Sequence, residues 1–195
     1  MKKYSKGVLT FGVGINDCDT NIYDVNGKMI PPFRAWHGML GRCYGKGYLS
    51  RHPSYEQCEV CGEWMKYSVF EEWWNQHRIE GWHLDKDILV KGNKVYAPDT
   101  CCFVPQEINK LFCKAGTLRG VYPIGVRFHK EKFEAQLSIA GKTKYLGCFT
   151  NIEEAFQSYK KAKESWIKEL ADKYKDQLET RVYEALYNYK VEITD

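Results

Sequence analysis

The chain has no long apolar run. Nowhere among its 195 residues does a stretch approach the roughly 18 to 20 apolar residues of a membrane span. The short apolar segment after Met1-Lys2-Lys3 ends at Gly14, with Asn16 and Asp17 close behind, too short and too early for a secretory leader. Both absences point to a cytoplasmic protein. Internal repeats and low-complexity segments are also missing, which excludes solenoids and compositional tails. Net charge is low: 29 basic against 25 acidic residues leave +4, which permits a polyanionic partner without requiring one. Eight cysteines are too few for a disulfide scaffold, and in a reducing compartment they are expected as thiols or metal ligands.

What is present argues for a folded protein. Hydrophobic residues make up 44% of the chain and aromatics 15%, enough to bury a core, and the length allows one ordinary domain or two small ones. The polar, glycine-bearing stretch Lys114-Ala115-Gly116-Thr117-Leu118-Arg119-Gly120 divides two differently built halves. The expected fold class is α+β, with domains at 1–114 and 119–195.

In the second half, Phe133 to Ile139 alternates apolar with polar, the signature of a half-buried strand. Tyr122 to His129 reads as a strand before it and Thr143 to Phe149 as a strand after it, joined by a turn at Ala140-Gly141-Lys142. Asn151, followed by Glu153 and Glu154, caps a long helix whose Ala155, Tyr159, Ala162 and Trp166 recur at helical spacing. That stripe should cover the sheet face of Phe133, Ala135, Leu137 and Ile139. Arg127, His129, Glu134, Gln136, Ser138, Thr143 and Tyr145 then point away from the helix. Residues 119 to 149 hold six basic and two acidic side chains, so this open face suits a nucleic-acid groove, or is an ordinary solvated one. The tail from Ser165 reads as further helix, packing on the domain or mediating self-association.

The run Gly125-Val126-Arg127, Phe133-Glu-Ala-Gln-Leu, Lys144-Tyr145-Leu146-Gly147-Cys148-Phe149 and Glu153-Glu154-Ala155 resembles the APETALA-type (ethylene-response-factor-like) DNA-binding domain over roughly residues 120 to 170. The resemblance implies a three-stranded antiparallel sheet on a long helix that enters the major groove of double-stranded DNA. Arg127, His129, Gln136, Ser138, Thr143 and Tyr145 hold the DNA-contacting positions. Phe133 and Tyr145 stand where that family has tryptophans, and Ser138 where it has a basic residue.

The first half is rich in Cys, Trp and His. Trp36, Leu40, Cys43 and Tyr44 are spaced as one helix face, and Phe70, Trp73, Trp74 and His77 as another. Cys58-x-x-Cys61 has the spacing of half a zinc knuckle without a second CxxC. Cys43 and Cys101 could complete a tetrahedral structural zinc site, or the cysteines are simply buried. Trp82 to Leu89 alternates, so as a strand it would project His83, Asp85 and Asp87 from one face, able to hold a hard divalent cation such as Mg and activate water. Gly92-Asn93-Lys94 then reads as a hairpin turn, and Val104-Pro105-Gln106 as the start of a helix.

From Trp36 through Arg42-Cys43-Tyr44, Leu84-Asp85-Lys86-Asp87, Tyr96-x-Pro98-x-x-Cys101 and Ile108-Asn109, this half resembles the HNH homing endonucleases of phages and their bacterial hosts. The resemblance implies a ββα-metal domain that hydrolyses phosphodiesters with a divalent metal, with Asp85 as the acidic metal ligand and Asn109 as the late asparagine. Lys86 stands where that family has its catalytic histidine and Thr100 where it has its central asparagine, so the domain is a degenerate one. A lysine, cationic at neutral pH, is no general base unless its pKa falls sharply, which leaves His83 as candidate base and Asp87 as second metal ligand. Two functions follow: a homing-type endonuclease, or a catalytically inactive DNA-binding regulator or phage-encoded inhibitor of a host protein.

Overall fold

A computed structural model describes residues 6–19, 21–112 and 121–193. The chain is mixed α+β and forms two compact units, Met1–Val104 and Pro105–Asp195. The polar stretch 114–120 lies outside the described residues. Among the described residues no helix is long and apolar enough to cross a membrane.

The first unit is built on aromatic packing rather than on a large sheet. A two-residue ladder, β1 (Leu9–Thr10) with β2 (Gly14–Ile15), precedes α1 (Pro31–Tyr44), which opens on Pro31-Pro32, where the missing N–H groups cost the helix nothing. Phe33, Trp36, Met39, Leu40 and Cys43 recur at helical spacing and are buried. Gly14 lets β2 approach this face, because a Cβ there would lie 2.3 Å from Leu40 Cδ1. A short helix α2 (Lys46–Leu49), a 3-10 turn at Pro53–Tyr55 and β3 (Glu59–Val60) lead through the 3-10 turn Glu63–Met65 to α3 (Tyr67–His77). Helix α3 packs on α1 through Tyr67, Phe70, Trp73 and Trp74, and the Trp36 indole donates to the Trp64 carbonyl at 2.7 Å. Both helix faces read from the sequence are present, with Tyr44 and His77 at their half-buried edges.

The remaining strands are short: β4 (His83–Asp85), β5 (Val95–Tyr96) and β6 (Cys102–Val104). The hairpin expected around Gly92-Asn93-Lys94 is not formed. Instead β4 pairs antiparallel with β6, and β5 runs parallel to β3. The expected strand from Trp82 to Leu89 stops at Asp85, whose carboxylate accepts the backbone N–H groups of Asp87 and Ile88 and turns the chain out of extended geometry.

In the second unit α4 (Gln106–Phe112) comes first. Strands β7 (Val126–His129), β8 (Lys132–Ile139) and β9 (Lys142–Phe149) then make the antiparallel order β7-β8-β9. Helix α5 (Ile152–Lys173) starts at Asn151, whose side chain accepts the Glu153 N–H at 2.7 Å. Ala155, Phe156 and Tyr159 bury against Ala135 and Leu137, with Ala162, Trp166, Phe133 and Ile139 around them, as the two periodicities require. Gly125, at φ +76°, brings the start of β7 under the Tyr159 ring, where a Cβ would sit 2.0 Å from the nearest ring carbon. The tail folds back within the unit: α6 (Thr180–Tyr187) buries Val182 and Leu186 and packs on α5.

Candidate functional site

The open face of the β7-β8-β9 sheet collects the side chains that the sequence places there. Ala135 and Leu137 go to the helix, so by strand alternation Glu134, Gln136 and Ser138 go to the other side. Cross-strand register adds their partners: Arg127 lies opposite Glu134, His129 opposite Lys132, Gln136 opposite Tyr145 and Ser138 opposite Thr143. All six residues singled out for DNA contact therefore share one face. Tyr145 is 59% exposed on this face, with Cys148 as a side-chain hydrogen-bond partner.

Two features of this face were not read from the sequence. First, Glu134 takes the Arg127 guanidinium in two contacts, 2.6 Å from Nη2 and 2.7 Å from Nε, which fixes the direction of the arginine and cancels part of the positive charge. Second, the register slips between Ala135 and Gln136, where β9 carries one extra residue: Ala135 faces Gly147 while Gln136 faces Tyr145. This bulge, with Gly147 at φ +138°, leaves Leu146 unpaired and puts Tyr145 and Cys148 on the same face although they are three apart. The Leu146-Gly147 pair was the signal available in the sequence. The face thus offers a directed cation, an amide, two aliphatic hydroxyls, an imidazole and a phenol, groups that can meet phosphates and the donor and acceptor pattern of base edges.

The residues expected to act in hydrolysis are arranged differently. His83 is exposed and shares a side of β4 with Asp85, as alternation requires, but Asp87 lies beyond the end of the strand. Asp85 Oδ1 accepts the N–H groups of Asp87 at 2.7 Å and Ile88 at 3.0 Å. Burial, with the Asp87 charge adding to it, pushes the Asp85 carboxyl above its ordinary range, against the pull of those hydrogen bonds and of Lys86. Lys86 is only 6% exposed; its ammonium donates to Asp87 Oδ1 at 2.7 Å and to the Asn93 carbonyl at 2.8 Å, between the rings of Tyr55 and Tyr96.

Around this lysine the loop is closed by hydrogen bonds that sequence reasoning missed. Asn93 donates to the carbonyls of Lys86 and Val95 and accepts the Val95 N–H. Thr100 donates to the Val95 carbonyl at 2.8 Å. These polar groups hold the backbone of the loop. Asn109 lies on α4, in the second unit.

Among the described residues no group of three or more His, Cys, Asp or Glu is arranged to hold a metal ion. That covers both expected sets, Asp85 and Asp87 with His83 for a divalent cation, and Cys43, Cys58, Cys61 and Cys101 for zinc. None of the four cysteines is in a disulfide, and they border one aromatic core. Burial pushes the thiols of Cys43 and Cys101 up to about 12, so both stay protonated at neutral pH. Compared with family models, with curated proteins and with solved structures, the chain matches none.

Proposed function

We propose that this protein binds double-stranded DNA through the open face of β7-β8-β9, and that its first unit is a degenerate derivative of an HNH homing endonuclease that does not cut. The observation that carries the reading is the convergence of Arg127, His129, Gln136, Ser138, Thr143 and Tyr145 on one polar sheet face. A twisted three-stranded sheet can enter the major groove, where such side chains meet base edges. The cluster around Lys86 supports the second half of the proposal. Lys86, at the position of the family's catalytic histidine, is buried and ion-paired, and Asp85 is engaged by backbone N–H groups. A buried, paired ammonium has no free electron pair with which to deprotonate water.

The test is a binding and cleavage assay on one preparation. Purified full-length protein is incubated with a mixed-sequence duplex pool in Mg, Mn or chelator, at several salt concentrations. The expected result is a restricted set of retained sequences, a steep loss of affinity with salt and no nicks in any metal. Arg127→Ala and Tyr145→Ala should each weaken retention of the preferred sequence by about 1–3 kcal/mol, roughly 5- to 150-fold. Chelator-sensitive nicking that disappears in Asp85→Ala would return the chain to the active endonucleases. Failure to retain any duplex at low salt would sink the DNA reading and leave a host-protein partner as the alternative.

A further inference from the structure

Arg42 sits on the last turn of α1, half-buried, with Tyr96, Tyr55 and Tyr48 as its neighbours, and among the described residues it forms no ion pair. Its Nε donates to the Tyr96 hydroxyl at 2.9 Å, and its guanidinium carbon lies 5.3 Å from the centre of that ring. Two further phenols, Tyr55 and Tyr48, also bear on its charge. A guanidinium has five N–H donors in a planar fork, and one of them is used here. On the same Tyr96 ring, 5.8 Å from its centre, lies the Lys86 ammonium, whose carboxylate partner is Asp87. Two cations thus share one tyrosine, and the one carboxylate ion-paired there is taken by Lys86.

Half-burying an arginine without a counter-charge costs some free energy, because phenols replace water poorly as acceptors. What the arrangement lacks is an anion that presents two acceptor oxygens side by side to the fork, and a phosphate can do so. The surroundings fit the rest of a nucleotide. Tyr48 stacks on His52 at 4.3 Å and meets the Tyr55 ring edge-on at 5.6 Å, and His52 is exposed. Such a ring platform can take the face of a base.

We propose that Arg42, framed by Tyr48, Tyr55 and Tyr96, is a phosphate-binding site in the first unit, with the His52–Tyr48 stack receiving the attached base. The shared chemistry is a nucleotide phosphate, supplied either by a DNA strand or by a free nucleotide. The site does not depend on the sheet face of the second unit.

The experiment uses the 15N-labelled full chain and follows the Arg42 Nε–H resonance during titration with inorganic phosphate, thymidine monophosphate and a duplex oligonucleotide, against chloride at matched ionic strength. A saturable shift with phosphate, tighter with the nucleotide, is the expected result. If DNA is the source, Arg42→Gln lowers duplex affinity several-fold for all sequences alike and reduces the salt slope by about one, while Arg127→Ala changes sequence preference. If Arg42→Gln leaves duplex affinity unchanged but the nucleotide still shifts Nε–H in the wild type, the ligand is a free nucleotide. An Nε–H resonance that none of the three probes moves beyond the chloride control overturns the proposal. That readout is made on the wild-type chain, so it does not depend on how Arg42→Gln folds, and it is separate from the fate of the sheet reading.

Discussion

Asp85 illustrates how one side chain can serve the fold and burden it together. Its Oδ1 holds two backbone N–H groups at the end of β4, while burial raises its pKa above the ordinary 3.8. Between 3.8 and the raised value the folded state keeps a proton that the unfolded chain has released. Stability therefore declines as pH rises through that window. Asp85→Asn keeps the acceptor and removes the charge. Its Tm should equal or exceed that of the wild type at pH 7, with any gain vanishing below about pH 3, where both forms are neutral. Thermal unfolding across pH checks this, and a large loss of Tm at pH 7 would show that the carboxylate charge itself holds the turn. At this scale the sequence was legible in part: the His-Leu-Asp alternation placed His83 and Asp85 on one side of a strand. It did not reveal that an aspartate followed by two open backbone N–H groups would end the strand, which put Asp87 elsewhere.

Among the elements, the sheet of the second unit was the most readable, because period two in β8 and period 3.6 in α5 each leave one apolar face and the two can only bury each other. The first unit was harder. Its strands are two or three residues long, too short to show a period, and beyond the β1-β2 ladder their partners lie far away in sequence, so the parallel β3-β5 pair and the β4-β6 pair were not accessible. The β7-β8 connection is a further case. Lys130 and Glu131 both adopt positive φ, 47° and 62°, in a two-residue turn that ordinarily takes Asn-Gly. Neither residue announces a turn, and each is held in the left-handed region at a cost of roughly 1 kcal/mol. Glu131→Gly should therefore raise the stability of the second unit by about 0.5–1 kcal/mol in chemical denaturation without altering the sheet register. No gain, or a loss, would mean that the Glu131 side chain contributes something its backbone conformation hides.

At the scale of the molecule, the cysteines were expected to be thiols or metal ligands, and the described ones, none of them in a disulfide, are unequally shielded. Cys43, Cys58, Cys101 and Cys102 are buried, Cys18 and Cys61 are half-buried, and Cys148 is exposed on the open sheet face. A maleimide at pH 8 should modify Cys148 first among these, with Cys43 and Cys101, their thiols near 12, reacting only when the chain unfolds. Peptide mass spectrometry over a time course reads the order directly, and early modification of Cys43 or Cys101 would mean that the first unit opens under native conditions.

The extra residue in β9 acts as a phase change. Without it, side chains three apart would project to opposite sides, and Cys148 would turn inward beneath Tyr145. With it, a thiol stands beside the exposed phenol on the proposed DNA-reading surface. The bulge has thereby placed a single-atom reporter within the proposed contact area, so that duplex bound there would shadow the sulfur from reagent, and the native chain can footprint itself without an introduced label.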